Sequence, residues 1–356
     1  MPERPLPPPV AAPPPVAGPA GAPPPTGSPD LVPLPGGGPT DPAAAIIDGI
    51  NRWIDSPPIR DLVACFGGRW PGGDLGATLA ALDGFSATHW DFRAGRERPE
   101  AREPDLDAGR RARVLAAADA LGLVRPRPPA HTRYAHLVVL GGLAHACLRR
   151  VAYAAHLLRD RVDVTGEVAV LGSFRPLSET ERGTLADADV SGGDTEVDVL
   201  DSAVRRTFGL REPDSTDGVD AGHPHHSWSS RTYRPTGLPP VRVLAAPSSE
   251  PQRRRAHTAD TQRFWAEHAR LSPGEPVLLV TAPIYVPFQH CDALRTLAVP
   301  YGCEIDTVGV DPARPDLDDL PEPTLTPGRY LQEIRSAIRS MRTLHTTLAQ
   351  RPSTSA

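Results

Sequence analysis

Two apolar segments that each end in a turn constrain the fold of this chain most. The first covers residues 136–140 and runs into Gly141-Gly142, and the second covers residues 276–282 and runs into Pro283-Ile284-Tyr285. Apolar runs of this length are typical of strands buried on both faces of a parallel sheet. Open parallel sheets bind small molecules at the carboxyl ends of their strands. The two segments therefore predict neighbouring strands with a ligand site between their ends.

Strands of this kind recur five times after residue 134, and they alternate with segments whose apolar residues have helical spacing. Parallel strands need crossover connections, which are nearly always right-handed. The pattern predicts the α/β class and a doubly wound, mostly parallel five-stranded sheet. We expect its strands at residues 136–140, 167–173, 241–246, 277–282 and 304–310.

Two other parts precede the predicted sheet domain at residues 131–348. Residues 1–42 are rich in Pro, Ala and Gly and predict a disordered arm, which is either a solvated tail or a docking segment for a protein that recognises proline. Residues 43–130 carry apolar clusters at helical spacing and predict a small helical accessory domain. Residues 211–240 predict an irregular insertion, and residues 349–356 a disordered tail.

The basic residues exclude some chemistry, because all 38 of them are arginine. Without lysine, the chain cannot form a Schiff base or a Walker-type phosphate loop. The formal net charge of −5 gives no general attraction to nucleic acid. The sequence has no apolar stretch of about 18 residues and no apolar signal region, so we expect no membrane span and a cytoplasmic location.

No metal site is predicted. The four cysteines have no CxxC spacing and are interpreted as core thiols. His223, His225 and His226 lie close together in the predicted insertion, but without a carboxylate or thiol pair at a recurring ligand spacing. A solvated loop is therefore favoured over a metal centre.

The predicted ligand site lies where the first and fourth strands end. Gly141 and Gly142 permit close approach of the backbone and leave N–H groups at the start of the next helix, which suits an anionic group. Thr281 and Tyr285 follow the fourth strand and would face them. A tight strand-to-helix turn without a ligand is the alternative.

Four segments of the sequence resemble the YdcF/SanA/ElyC-like family, whose Rossmann-like domain has no assigned function. The resemblance covers about residues 134 to 312 and rests on the order of the segments. They are Val138-Val139-Leu140-Gly141-Gly142 with Arg149 and Arg150, Ser191-Gly192-Gly193 with Thr195-Glu196, His257-Thr258-Ala259-Asp260-Thr261, and Val280-Thr281-Ala282-Pro283-Ile284-Tyr285.

The resemblance implies a Rossmann-like sheet and, in some members, a nucleotide-like or S-adenosylmethionine-like ligand. It adds Arg149, Thr258 and Asp260 to the candidate binding residues. The chain departs from the family pattern at His257, Thr261 and Tyr285, among others. The second motif is either Ser173, directly after the second strand, or Ser191-Gly192-Gly193 further on.

Among titratable residues, Glu196 is the candidate for ligand binding or proton transfer, because it would lie near a helix N-terminus beside glycines. Its alternative role is to stabilise the first helical turn. Asp260 would orient a ligand hydroxyl or cap a helix.

The sequence thus predicts a protein that binds a small polar ligand and is an enzyme that uses or acts on a nucleotide-like molecule. A binding or adaptor protein that retained the fold, with its arm docked on a partner, is the alternative.

Overall fold

Seven strands form one sheet in this protein. The computed structural model describes residues 30–36, 42–92, 103–190, 193–314, 317, 319–321 and 324–351. The predicted arm therefore lies mostly outside the described residues, as does most of the predicted tail. The strands are β1 (Arg133–Leu140), β2 (Asp163–Gly172), β3 (Ser215–Val219), β4 (Trp228–Tyr233), β5 (Val241–Ala245), β6 (Pro276–Thr281) and β7 (Glu304–Gly309).

Five of these strands are parallel and adjacent, in the order β5-β2-β1-β6-β7. They include each of the five predicted strands. β1 pairs with β2 on one side and with β6 on the other, so that Val138 lies between Ala169 and Leu279. The α/β class and the mostly parallel sheet are thereby confirmed.

The predicted number of five strands was wrong, because β3 and β4 extend the sheet as an antiparallel pair beside β5. Both lie within residues 211–240, the predicted irregular insertion. Every residue of β3 is exposed, and only Tyr233 of β4 is buried. Strands at the edge of a sheet are held by backbone pairing, so they leave little apolar signal in a sequence.

Helices surround the sheet. Four precede it: α1 (Pro42–Ile54), α2 (Pro57–Cys65), α3 (Leu75–His89) and α4 (Ala108–Ala120). The others are α5 (Ala144–Asp160), α6 (Glu179–Asp187), α7 (Glu196–Phe208), α8 (Thr258–Ala269), α9 (Val286–Ala293), α10 (Val299–Tyr301) and α11 (Pro327–Ala349).

Each face of the sheet has its own core. Alternate residues of β1 face opposite ways, as the two-residue period of a strand requires. Leu137 and Val139 belong to the core that includes α5, α6 and α7. Val138 and Leu140 belong to the core that includes Trp265 of α8 and continues into the segment after α9. Helices on both faces explain why the central strands are apolar throughout.

The four N-terminal helices share a third core with α9 and α11. Trp53 of α1 and Leu82 of α3 are buried in it together with Ile334 and Met341 of α11. An accessory domain at residues 43–130 remains a prediction, and its helices pack on the same last helix that closes the sheet half. Within the described ranges, no helix has both the length and the apolar character needed to cross a bilayer.

Candidate functional site

The first and fourth of the predicted strands, β1 and β6, are neighbours, so their carboxyl ends lie side by side. The connections from β1 and β6 lead to helices in opposite cores, α5 in one and the segment after α9 in the other. Ligands of open α/β sheets bind at such a divergence. We use the name carboxyl edge for this end of the sheet around Gly141, Gly142, Ser173 and Thr281.

Two arginines hold the turn between β1 and α5. The guanidinium of Arg150, which is fully buried, donates to the carbonyl oxygen of Leu140 at 2.7 Å and to that of Gly141. Arg175 donates to the carbonyl oxygen of Gly142 at 2.9 Å. Gly141 is needed for space, since a Cβ there would lie 2.6 Å from Glu196 Oε1 and 2.7 Å from the Leu171 carbonyl oxygen.

Glu196 lies at the centre of the carboxyl edge. It is the first residue of α7, whose start is fixed by Asp198, since that carboxylate accepts the Thr195 N–H at 3.1 Å. The Glu196 carboxylate accepts the hydroxyl of Ser173 at 2.7 Å and its N–H at 3.2 Å. Both side chains are buried, Glu196 with 8% of its surface exposed. Burial raises the pKa of Glu196, and Arg175, Ser173 and Arg255 only partly offset that effect.

A second buried carboxylate, Glu181 of α6, lies beside the same turn. Arg175 binds it through two nitrogens, each at 2.8 Å, and the N–H of Ala144 donates to it at 3.1 Å. Burial alone would raise the pKa of Glu181, but the hydrogen bonds from Arg175 and Ser178 lower it to about 2. Glu181 is therefore ionised over the whole physiological range.

Two further groups near the turn have shifted pKa values. Burial lowers the pKa of His145 in the first turn of α5 to about 4, and the nearby charges of Arg150 and Arg329 add to that effect. Burial raises the pKa of the Cys147 thiol to about 12, with a further contribution from Glu196. Both groups are thus neutral at physiological pH, and such a concentration of shifted groups is typical of functional sites.

On the β6 side of the carboxyl edge, Tyr285 and Thr281 have different neighbours. The ring of Tyr285 lies 5.8 Å from the guanidinium carbon of Arg150. Thr281 is fully buried, and its hydroxyl donates to the side-chain oxygen of Gln289 in α9. The structure brings Gly141, Gly142, Ser173, Glu196 and, through Arg150, Tyr285 together.

Three predicted binding residues serve contacts elsewhere. Arg149 donates to the carbonyl oxygens of Leu317 and Leu320, both at 3.0 Å, and so holds the connector that precedes α11. Asp260 caps α8, because its carboxylate accepts the His257 N–H at 3.0 Å and pairs with Arg254 at 2.5 Å. Thr258 is half-buried at the start of α8, where its carbonyl accepts the hydroxyl of Thr261.

The second motif was predicted either at Ser173 or at Ser191-Gly192-Gly193. Ser173 follows β2 directly and contacts Glu196. Ser191 and Gly192 lie outside the described residues, and Gly193 packs against Asp198, which a Cβ on this glycine would approach to 2.7 Å.

Sequence reasoning overlooked Arg175, Glu181 and His145. A signal for Glu181 was present, because Ser178-Glu179-Thr180-Glu181 has the serine-to-glutamate spacing of a capping box, which the structure contains. The contacts of Glu181 with Arg175 and Ala144 could not be predicted, because the capping-box spacing indicates only where the helix begins.

Other polar clusters lie away from the carboxyl edge. Open clefts occur at the amino ends of the strands, around Thr132 and Glu304, and between α7 and β3, around Asp198 and Arg205. The rings of His223 and His225 lie 4.7 Å apart. Among the described residues, however, no three side chains of the His, Cys, Asp or Glu type are arranged to hold a metal ion. We favour the carboxyl edge because buried ionisable groups converge there, whereas both clefts are open to solvent.

Comparisons with known proteins found relatives in mycobacteria. Residues 37–122 match the family model described as Rv3785 N-terminal domain. The chain is 34% identical over 334 residues to Uncharacterized protein Rv3785 of Mycobacterium tuberculosis, an alignment that covers 86% of this chain and 91% of that relative. The same identity and coverage hold for Uncharacterized protein Mb3814 of Mycobacterium bovis. No solved structure matches the chain.

Proposed function

This chain belongs to the family of the mycobacterial Rv3785 protein, and we propose that it binds a small, nucleotide-like ligand at the carboxyl edge and acts on it as an enzyme. S-adenosylmethionine or a related nucleotide is the ligand class we favour. The observation that carries the proposal is the buried Glu196–Ser173 pair at the ends of β1 and β2.

The order of the parallel strands supports a Rossmann-like layout. Counted along the chain, the five strands lie in the order third, second, first, fourth, fifth, and the first and fourth meet where the crossovers diverge. That order is found in dinucleotide-binding sheets. We propose on the same basis that the YdcF/SanA/ElyC-like resemblance reflects common ancestry of the sheet domain.

Glu196 supplies the chemistry in this proposal. A carboxyl whose pKa is raised by burial retains its proton at higher pH than an exposed one, so it can donate that proton to a ligand atom and take it back. Ser173 orients the carboxyl, since its hydroxyl and N–H both donate to the same oxygen. The Gly141-Gly142 turn provides the close approach that a nucleotide backbone contact requires.

A non-catalytic binding or adaptor protein is the second candidate. It is favoured by the engagement of Arg149, Thr281 and Asp260 in contacts within the protein. In that case the carboxyl edge is a structural relic, and residues 1–42 dock the partner.

A thermal-shift screen of the full chain tests the proposal. The ligands are S-adenosylmethionine, its demethylated product, common nucleotides and nicotinamide cofactors. A ligand at 100 times its dissociation constant adds about 2.7 kcal/mol to the free energy of unfolding. We expect a shift for at least one of them, and its loss in Gly142→Trp, where the new side chain meets Ala146 and Arg150.

The control is Gly84→Trp, because a Cβ added at Gly84 in α3 meets no atom within 4 Å outside the backbone of its own helix. A ligand shift that survives in Gly142→Trp would place the ligand elsewhere. The Glu196→Gln variant should retain binding and lose turnover, and full turnover in that variant would refute the catalytic role. No shift with any ligand would favour the adaptor.

A further inference from the structure

Glu181 is bound in the carboxyl edge in the way that a ligand carboxylate would be. One oxygen accepts the Ala144 N–H at 3.1 Å and one nitrogen of Arg175 at 2.8 Å. The other accepts the second nitrogen of Arg175 at 2.8 Å and, within the capping box of α6, the N–H and hydroxyl of Ser178 at 3.0 Å each. Arginine makes two-point contacts of this type with carboxylates and with phosphates. The protein thus places its own anion next to the Gly141-Gly142 turn.

The helix that carries Glu181 is held by few contacts. Of the nine residues of α6, only Glu181 and Leu185 are buried. An element with so little buried surface opens locally at a small cost in free energy, compared with the core helices beside it. α5, which receives the Glu181 carboxylate, has twelve buried residues and is therefore more costly to open.

We propose that α6 is a displaceable lid and that the carboxylate of Glu181 is an internal substitute for an anionic group of the ligand, a phosphate or a carboxylate, which replaces it on Arg175 and the Ala144 N–H. The inference rests on the proposed function and specifies the ligand class of that site.

Charge around the turn supports an anionic ligand. Arg255 is exposed after β5, forms no ion pair within the described residues, and is close enough to Glu196 to lower its pKa. Arg329 at the start of α11 and Arg150 both lower the pKa of His145. When α6 opens, Arg175 loses the carboxylate of Glu181, and an incoming anion restores the pairing.

The test measures anion binding and α6 opening in the full chain. Inorganic phosphate and malonate, the latter a dicarboxylate, are titrated at constant ionic strength by calorimetry, and hydrogen exchange of residues 179–187 is followed with and without each probe. We expect the bound probe to speed exchange in α6 and to slow it at residues 141–146. An unchanged α6 with a bound probe would overturn the lid.

Glu181→Gln sharpens the test, because it removes the competing charge and keeps the shape. We expect it to bind the favoured probe about tenfold more tightly than the parent chain. Glu179→Gln is the matched control, since Glu179 lies on the same helix and is exposed, and its affinity should equal that of the parent. Equal affinity of the Glu181→Gln and Glu179→Gln variants would contradict the inference.

The outcome also separates this inference from the proposed function. If a nucleotide shifts the stability of the chain through Gly142 while the two glutamine variants bind every anion alike, the site stands and the lid is wrong. If Arg175→Gln leaves the binding of phosphate and malonate unchanged, the anion is held elsewhere and the ligand class is wrong. If no nucleotide binds but phosphate opens α6, the proposed nucleotide ligand is wrong and the anion site stands.

Discussion

Two glutamates of this protein are buried to the same degree in different surroundings. Glu167 of β2 is 7% exposed; one of its oxygens accepts the indole N–H of Trp265 at 2.9 Å, and the other pairs with Arg242 at 2.7 Å. Glu196, at the carboxyl edge, is 8% exposed, and its nearest donors are the hydroxyl and N–H of Ser173. No guanidinium of the described residues forms an ion pair with it.

The difference shows which buried carboxylate stabilises the fold. Burial of a charge is costly unless a cation and hydrogen bonds compensate for it. Glu167 has both kinds of partner and joins β2, β5 and α8. Glu196 lacks a direct cation, and its pKa is raised by burial. A residue that lowers stability at the carboxyl edge of an α/β sheet is best explained by function.

The largest effect should come from crowding Glu196. Gly141→Ala would place a Cβ 2.6 Å from Glu196 Oε1 and 2.7 Å from a backbone oxygen that cannot move away easily. We expect a loss of about 3 kcal/mol in the free energy of unfolding, measured with urea. Gly84→Ala, in open space on α3, should change stability by less than about 1 kcal/mol and in the favourable direction. A tolerated Gly141→Ala would show that the edge is loosely packed.

The second largest effect should come from Glu167, the glutamate that is paired with Arg242. Glu167→Ala leaves the Trp265 N–H without its acceptor and Arg242 without its carboxylate. The side chain of Arg242 remains 25% exposed and can be hydrated in part, so we expect a loss of about 2 kcal/mol. Urea unfolding at pH 7 measures it. If the loss were no larger than for an exposed glutamate such as Glu179, the contrast between the two sites would fail.

Glu196→Gln should act in the opposite direction. A carboxyl with a raised pKa in the folded state binds its proton more tightly there than in the unfolded chain, so it lowers stability as pH rises above its ordinary value of 4.5. Below that pH the carboxyl is protonated in both states and the penalty vanishes. We expect the variant to gain up to about 1 kcal/mol at pH 7 and nothing at pH 4. A variant less stable than the parent at pH 7 would reverse our interpretation.

The smallest effect should come from Arg149→Lys. The guanidinium of Arg149 holds two carbonyl oxygens of the connector before α11, and an ammonium can satisfy only part of that geometry. We expect a loss of about 0.5–1 kcal/mol in the free energy of unfolding. Ligand-induced thermal shifts should be unchanged, and their loss would return Arg149 to the binding site.

These contrasts also show what the sequence could reveal. The five parallel strands were predictable because central strands are apolar on both faces. The predicted ligand site required β1 and β6 to be neighbours, and their pairing confirms that adjacency. β3 and β4 were missed because edge strands such as Ser215–Val219 expose polar side chains and depend on backbone pairing.

The candidate site was predictable only where it is local. Gly141 and Gly142 directly follow a strand, and Glu196 follows two glycines at the start of a helix, so local patterns were enough to single them out. The contact of Glu181 with Ala144 joins residues 37 positions apart and has no sequence pattern. Asp260 follows a local capping pattern, so its contact with the His257 N–H was predictable from the sequence.

The most direct test of the account is the pKa of Glu196 itself. Glutamate side chains labelled with ¹³C at Cδ are titrated by NMR in the full chain, and the Glu196 signal is assigned by its absence from the Glu196→Gln spectrum. Our account predicts a midpoint above 4.5 that moves when a ligand binds at the carboxyl edge. A midpoint at or below 4.5 would mean that Glu196 is as well compensated as any structural carboxylate, and it would contradict the account.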